Sequence, residues 1–177
     1  MPMQQPASHV RLLYCRLDAF SATSVRETER AASMCLAREL AGSDAQIKHF
    51  ADGAPYISGF EGCISISHGA GYCVLAASRS GTVGVDVERW REQLRRVAGK
   101  FLSDDEIAVW GNDDRALLRA WTIKEAVYKA ARTSGLALKE IYLPPCVDGD
   151  EAQAREVVYR LHTQSAGEAL VTTAWIV

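Results

Sequence analysis

The rhythm of apolar and polar residues changes several times along the chain, and each change predicts an element. In CISISHGAGYCVLAASRSGTVGVDVERW, which follows Gly62, apolar residues recur at alternate positions or in short runs, as extended chain requires. Gly69, Gly71 and Gly81 interrupt them where hairpins turn. Three strands are predicted here, over 63–67, 72–78 and 83–88. Upstream, the Val, Leu and Tyr of 10–17 predict a first strand. The Ala, Leu, Met, Arg and Glu of 24–40 favour a helix that Gly42-Ser43-Asp44 ends. Gly53-Ala54-Pro55 predicts a turn.

Beyond Trp90 the composition turns helical. Ser103-Asp104-Asp105-Glu106 has the N-cap serine and following glutamate of a capping box, so a helix starts there. The longest helical stretch, 113–132, carries Leu117, Ala120, Trp121, Val127, Tyr128 and Ala131 on one apolar stripe, with Lys124 inside it. Gly135 sits where a C-terminal glycine stops a helix. The tail returns to strands at 140–143, 157–162 and 169–177. The order strand, helix, hairpin strands thus occurs twice. It predicts an α+β fold in one domain, 1–177, of two similar halves related by a pseudo-twofold, about 1–80 and 81–177. Each half is a small antiparallel sheet with a long helix.

A chain of 177 residues, 48% of them apolar, buries a core without disulfides. Twenty basic and 22 acidic residues leave a net charge of -2, so no global field grips nucleic acid or an anionic membrane, and recognition by charge is local. The five cysteines, Cys15, Cys35, Cys63, Cys73 and Cys146, are scattered without CxxC or zinc spacing, which fits a reducing cytoplasm. No apolar run reaches the roughly 18 residues of a membrane span, and no export signal is read at the start.

Candidate chemistry lies in two places. In GTVGVDVERW, Asp86 and Glu88 alternate with Val85 and Val87, so both carboxylates leave one face of a strand while the valines enter the core. Two readings are open: a solvated strand end with Glu88 paired to Arg89 or Arg91, or hard oxygen ligands for Mg2+. On the long helix, Glu125 and Lys129 stand at i and i+4 on the border of the apolar stripe, where they can point together into a cleft or form a surface ion pair. Ser67-His68 ends a strand before Gly69-Ala70-Gly71, a setting open to phosphate. Neighbouring strand residues face opposite ways and no GxSxG is present, which weighs against a serine triad.

The run ISISHGAGYCVLAAS, then VGVDVE, then WTIKEAVYK about thirty residues on, resembles the phosphopantetheinyl transferases, in their surfactin-synthetase-type branch. The likeness extends over about 53–143. It implies the fold of two α+β halves and Mg-dependent transfer of 4′-phosphopantetheine from coenzyme A to a serine of an apo acyl or peptidyl carrier protein, with 3′,5′-ADP leaving. It further implies Asp86, Glu88 and Glu125 as ligands of Mg2+ or Mn2+, and Glu125 as general base. Lys129 and Lys124 would offset phosphate charge, Ser67 and His68 would contact the nucleotide end of coenzyme A at its 3′-phosphate, and Arg30 would contact that end as well.

Two departures stand beside the likeness. Gly53-Ala54-Pro55 has Ala where the family commonly has lysine, and the family's basic residues on the first helix match only loosely, to Arg26, Arg30 or Arg38. Arg89, Arg91, Arg95, Arg96 and Lys100, followed by Phe101 and Leu102, suggest a basic rim around an apolar spot for an acidic carrier. The expectation is a cytoplasmic monomer without nucleic-acid or membrane partners. The alternative is a non-catalytic module that binds coenzyme A or a carrier. A nuclease using the same carboxylates is disfavoured by the near-neutral charge.

Overall fold

The computed structural model describes residues 3–176. In chain order, β1 (Val10–Arg16) and α1 (Val25–Ala41) precede two short strands, β2 (Ile47–His49) and β3 (Pro55–Ile57). Then come β4 (Cys63–Gly69), β5 (Tyr72–Ser78) and β6 (Val83–Arg89). Three helices follow, α2 (Glu92–Phe101), α3 (Asp104–Trp110) and α4 (Asp114–Ala131), and then β7 (Ile141–Tyr142), β8 (Glu151–Ala154), β9 (Val157–Ala166) and β10 (Ala169–Ile176). The fold is mixed α/β, with four α-helices among the described residues and antiparallel sheets ordered β1-β5-β4, β6-β10-β9-β8-β7 and β2-β3.

Local chemistry accounts for the helix starts. Ser24 and Asp113 each accept the backbone N–H three residues on, and Ser103 with Glu106 forms both halves of the capping box. Packing then fixes where the helices lie. Leu117, Ile123 and Val127 of α4 are fully buried, and each such side chain contributes about 1.5–3 kcal/mol, several times what a surface ion pair does. The valines of β6 alternate as expected: Val83, Val85 and Val87 pack with Val10, Leu12 and Val74 at the seam of the two larger sheets.

The other face of β6 meets α4, and glycine decides how closely. A Cβ on Gly84 would collide with the carbonyl of Ala126 and lie 2.6 Å from the nitrogen of Ala130. At Gly69, a Cβ would strike the carbonyl of Val87. Both glycines let backbone rest on backbone, bringing α4 and β4 onto β6. Between β4 and β6 the joint is made by hydroxyls: Ser65 Oγ accepts from the N–H of Val85 at 3.1 Å and Ser67 Oγ from that of Val87 at 3.3 Å.

Several expectations need correction. Helix α4 is buried on more than one flank, with Leu118, Ala126 and Ala130 inside as well, so it has no single stripe and Tyr128 is exposed. Its extent agrees with the expected 113–132, but the left-handed stop is Arg132 itself (φ 48°, ψ 32°) and not Gly135. The strand expected over 140–143 is only two residues long, and β9 runs on to Ala166. Phe101 and Leu102 are buried, so they offer no apolar spot to a partner.

Candidate functional site

The site is built where β4, β6 and α4 converge. Asp86 shares its face of β6 with Gly84, and the close approach there brings the last turns of α4 beside it. Its side chain is buried. Lys129 Nζ donates to Asp86 Oδ1 at 2.7 Å and to the carbonyl of Val85 at 3.0 Å. Ser67 Oγ donates to Asp86 Oδ1 at 2.9 Å and accepts from Lys129 at 3.2 Å as well as from Val87. A hydroxyl has one proton and two lone pairs, and all three are used. Ser67 therefore orients Asp86 and Lys129. Asp86 Oδ2 is buried without a partner among the described residues.

Glu88 and Glu125 line the same cleft, a cavity of about 350 Å³, together with Trp121 and Arg91. Glu88 is ion-paired with Arg91. Burial pushes the Glu125 carboxyl above its ordinary value, and the charges of Asp86 and then Glu88 push it further, against the pull of Lys129. Glu88 is also raised, first by burial and also by Asp86, with Arg91 opposing. Three carboxylates thus face two cations in partial shelter from water. Among the described residues no three acidic, His or Cys side chains yet converge on one point as a metal cage. The donor chemistry nonetheless suits a hard divalent cation: all ligands are oxygens, repulsion between them is only partly offset by Lys129 and Arg91, and Asp86 Oδ2 awaits a partner.

A family model described as the 4′-phosphopantetheinyl transferase superfamily matches residues 82–170, half of the chain. The chain belongs to that superfamily. No curated protein matches it. The matched span holds Asp86, Glu88, Glu125 and Lys129, and gives this chain the transferase role of a phosphopantetheinyl transferase. Coenzyme A and a carrier protein are the partners the superfamily implies. Among the described residues no helix is long and apolar enough to cross a membrane.

Four of the residues read from sequence in this transferase meet in one cleft: Asp86, Glu88, Glu125 and Lys129. Ser67 joins them as a support, with its hydroxyl saturated from within the protein. His68 also lines the cleft, while its Nε2 is turned to α1, 2.7 Å from Ser33 Oγ. Lys124 does not reach the cleft. It is fully buried, donating to Glu106 at 2.7 Å and to the carbonyls of Ile141 at 2.7 Å and Leu138 at 3.2 Å, so it cannot offset charge on a phosphate there. Burial also pulls its ammonium below the ordinary lysine value, with Glu106 opposing. Arg30 lies on the exposed face of α1, in a separate cleft with Arg38 and Asp44.

Trp121 and Arg91 were missed as cleft residues. The signal for Trp121 was available, since 121, 125 and 129 repeat at four-residue spacing and share a helix face. Arg91 was read as a possible partner of Glu88, and the structure pairs them, but its place in the cleft lies across the turn into α2, which no periodicity covers.

Proposed function

We propose that this protein, of the surfactin-synthetase-type branch, transfers 4′-phosphopantetheine from coenzyme A to a serine of an apo acyl or peptidyl carrier protein, with Mg2+ or Mn2+ present. The observation that carries the reading is the shared cleft of Lys129, Asp86, Glu88 and Glu125: one ammonium and three carboxylates, with no nucleophilic side chain free among them. A divalent cation bound to the pyrophosphate would neutralise charge on the bridging and leaving oxygens. Asp86, Glu88 and Glu125 would hold it, Glu88 leaving Arg91 to do so. The carrier hydroxyl attacks the phosphorus that bears pantetheine, Glu125 takes its proton directly or through a water, and the bond to 3′,5′-ADP breaks. Lys129, fixed by Val85, Ser67 and Asp86, presents its charge to the phosphates without reorganising.

Two fused halves within one domain, 1–177, belong to the same reading. The orders β1-β5-β4 and β6-β10-β9 correspond strand for strand, each with a long helix, and β4 meets β6 at their junction. A fused pair needs no second subunit to complete the site, which supports a monomer, working in the cytoplasm. His68 remains the residue of the SH pair within reach of a nucleotide. The test is to incubate the full chain with coenzyme A, Mg2+ and apo carriers and read intact mass. Addition of phosphopantetheine that stops with chelator is expected. No addition to any acyl or peptidyl carrier, with binding of coenzyme A intact, favours the non-catalytic module.

For the carrier, the basic stretch narrows. Arg91 is engaged by Glu88, and Arg95 by Asp114 and by the ring of Trp90. Arg89, Arg96 and Lys100 remain exposed. Reversing Arg96 and Lys100 to Glu is expected to raise KM for the carrier and flatten its salt dependence, since exposed charges are screened over about 8 Å at physiological ionic strength. KM for coenzyme A should not change. A shift in the latter instead would put these residues in the nucleotide pocket.

A further inference from the structure

A second cavity, of about 460 Å³, lies between the turn at 52–55, β4 and the end of α4, and shares Ile66 and Lys129 with the carboxylate cleft. The two are neighbouring compartments of one groove, with Lys129 at their junction. Two cations line the second compartment, Lys129 and Arg132, against one carboxylate, Asp52. Ala54 brings only a methyl group, so the turn itself contributes no cation.

Arg132 is held there at a conformational cost. Its backbone is left-handed, a state that costs a non-glycine residue about 1 kcal/mol or more and glycine almost nothing. Its Nη2 and Nε donate to Asp52 Oδ2 at 2.8 and 3.2 Å, and its guanidinium lies 4.6 Å from the centre of the Phe50 ring. Asp52 in turn accepts the N–H of Ala54 at 3.0 Å, and Phe50 packs on Tyr56 at 4.6 Å. The turn therefore orients the guanidinium, while Nη1 has no protein partner among the described residues. A half-exposed ion pair contributes little, so the contact with Asp52 accounts for the aim of the side chain better than for the presence of arginine.

We propose that Arg132 sets donor specificity, its unpaired guanidinium edge receiving the 3′-phosphate of coenzyme A while Lys129, one helical turn away, faces the pyrophosphate. This rests on the transferase reading above. The pyrophosphate must lie where the bond breaks, beside Glu125 and Lys129. The charged group then left over is the 3′-phosphate, a monoester whose oxygens suit the planar donors of a guanidinium. The adjoining compartment is where the second cation waits. Ser67, with its hydroxyl saturated, has no donor to offer that phosphate.

Calorimetric titration of the full chain with coenzyme A and with 3′-dephospho-coenzyme A tests the assignment. Wild type is expected to prefer coenzyme A. Arg132→Gly should weaken coenzyme A binding on the order of tenfold and leave the dephospho compound unchanged, as loss of a charged hydrogen bond predicts. Arg132→Lys should recover part. Because glycine relieves the left-handed strain, Tm of Arg132→Gly should hold or rise, which a purely structural arginine would not allow. Retention of the wild-type preference in Arg132→Gly, or an equal loss with both compounds, overturns the assignment while the transferase reading stands. Wild type that binds neither compound overturns the transferase reading and this inference with it.

Discussion

Glu125→Gln is expected to lower kcat by about 10²–10⁴-fold, the range for loss of a positioned general base, with Tm unchanged or higher. The substitution keeps shape and hydrogen-bonding capacity but removes the ability to take a proton. Its side chain lines the cleft where the hydroxyl must react, and burial and the neighbouring Asp86 and Glu88 raise its carboxyl above the ordinary value. The same repulsion strains the folded protein, and the neutral amide relieves it. Activity and stability should therefore move apart. Single-turnover transfer to an apo carrier and a thermal melt read the two quantities. Near wild-type turnover in Glu125→Gln would sink the role of base, and a large drop in Tm would assign this carboxylate to the core.

Much of this site was legible because it follows period-two and period-four rules. Alternation in VGVDVE put Asp86 and Glu88 on one face and the valines on the other, and the buried Val85 and Val87 agree. Four-residue spacing put Glu125 and Lys129 together on α4. The structure adds the reason they meet Asp86, which is Gly84: the gap where a side chain would be is what admits α4. In sequence that glycine looked like part of a strand motif only. The short strands were harder. In β8, alternation is carried by Ala152 and Ala154, whose small side chains give a weak apolar signal, although both are buried. The extent of α4 agrees with the expected 113–132, and only the stop differs: geometry favours Gly135 there, whereas Arg132 takes the left-handed position itself.

Lys124 is the instructive error, and it yields the largest expected effect on stability. A lysine among apolar neighbours invited a functional reason, and the reason turns out to be architectural. Its ammonium joins Glu106 to the carbonyls of Leu138 and Ile141. Glu106 closes the cap of α3 through Ser103 and accepts from the N–H of Leu143 at 3.1 Å, so one ion pair ties α3, α4 and the approach to β7 together. Removing one partner of a buried pair leaves the other uncompensated and costs about 3–5 kcal/mol. Lys124→Ala should therefore unfold at markedly lower denaturant. Lys124→Met, which keeps the volume, still strands Glu106 and both carbonyls and should recover only the packing share of the loss. Below the transition, the folded fraction of either variant should transfer phosphopantetheine with nearly wild-type kcat, because the ammonium faces away from the cleft. If Lys124→Met kept wild-type stability but lost turnover, the lysine would act on the phosphates after all, and the side chain would have to swing out of its buried position to do so.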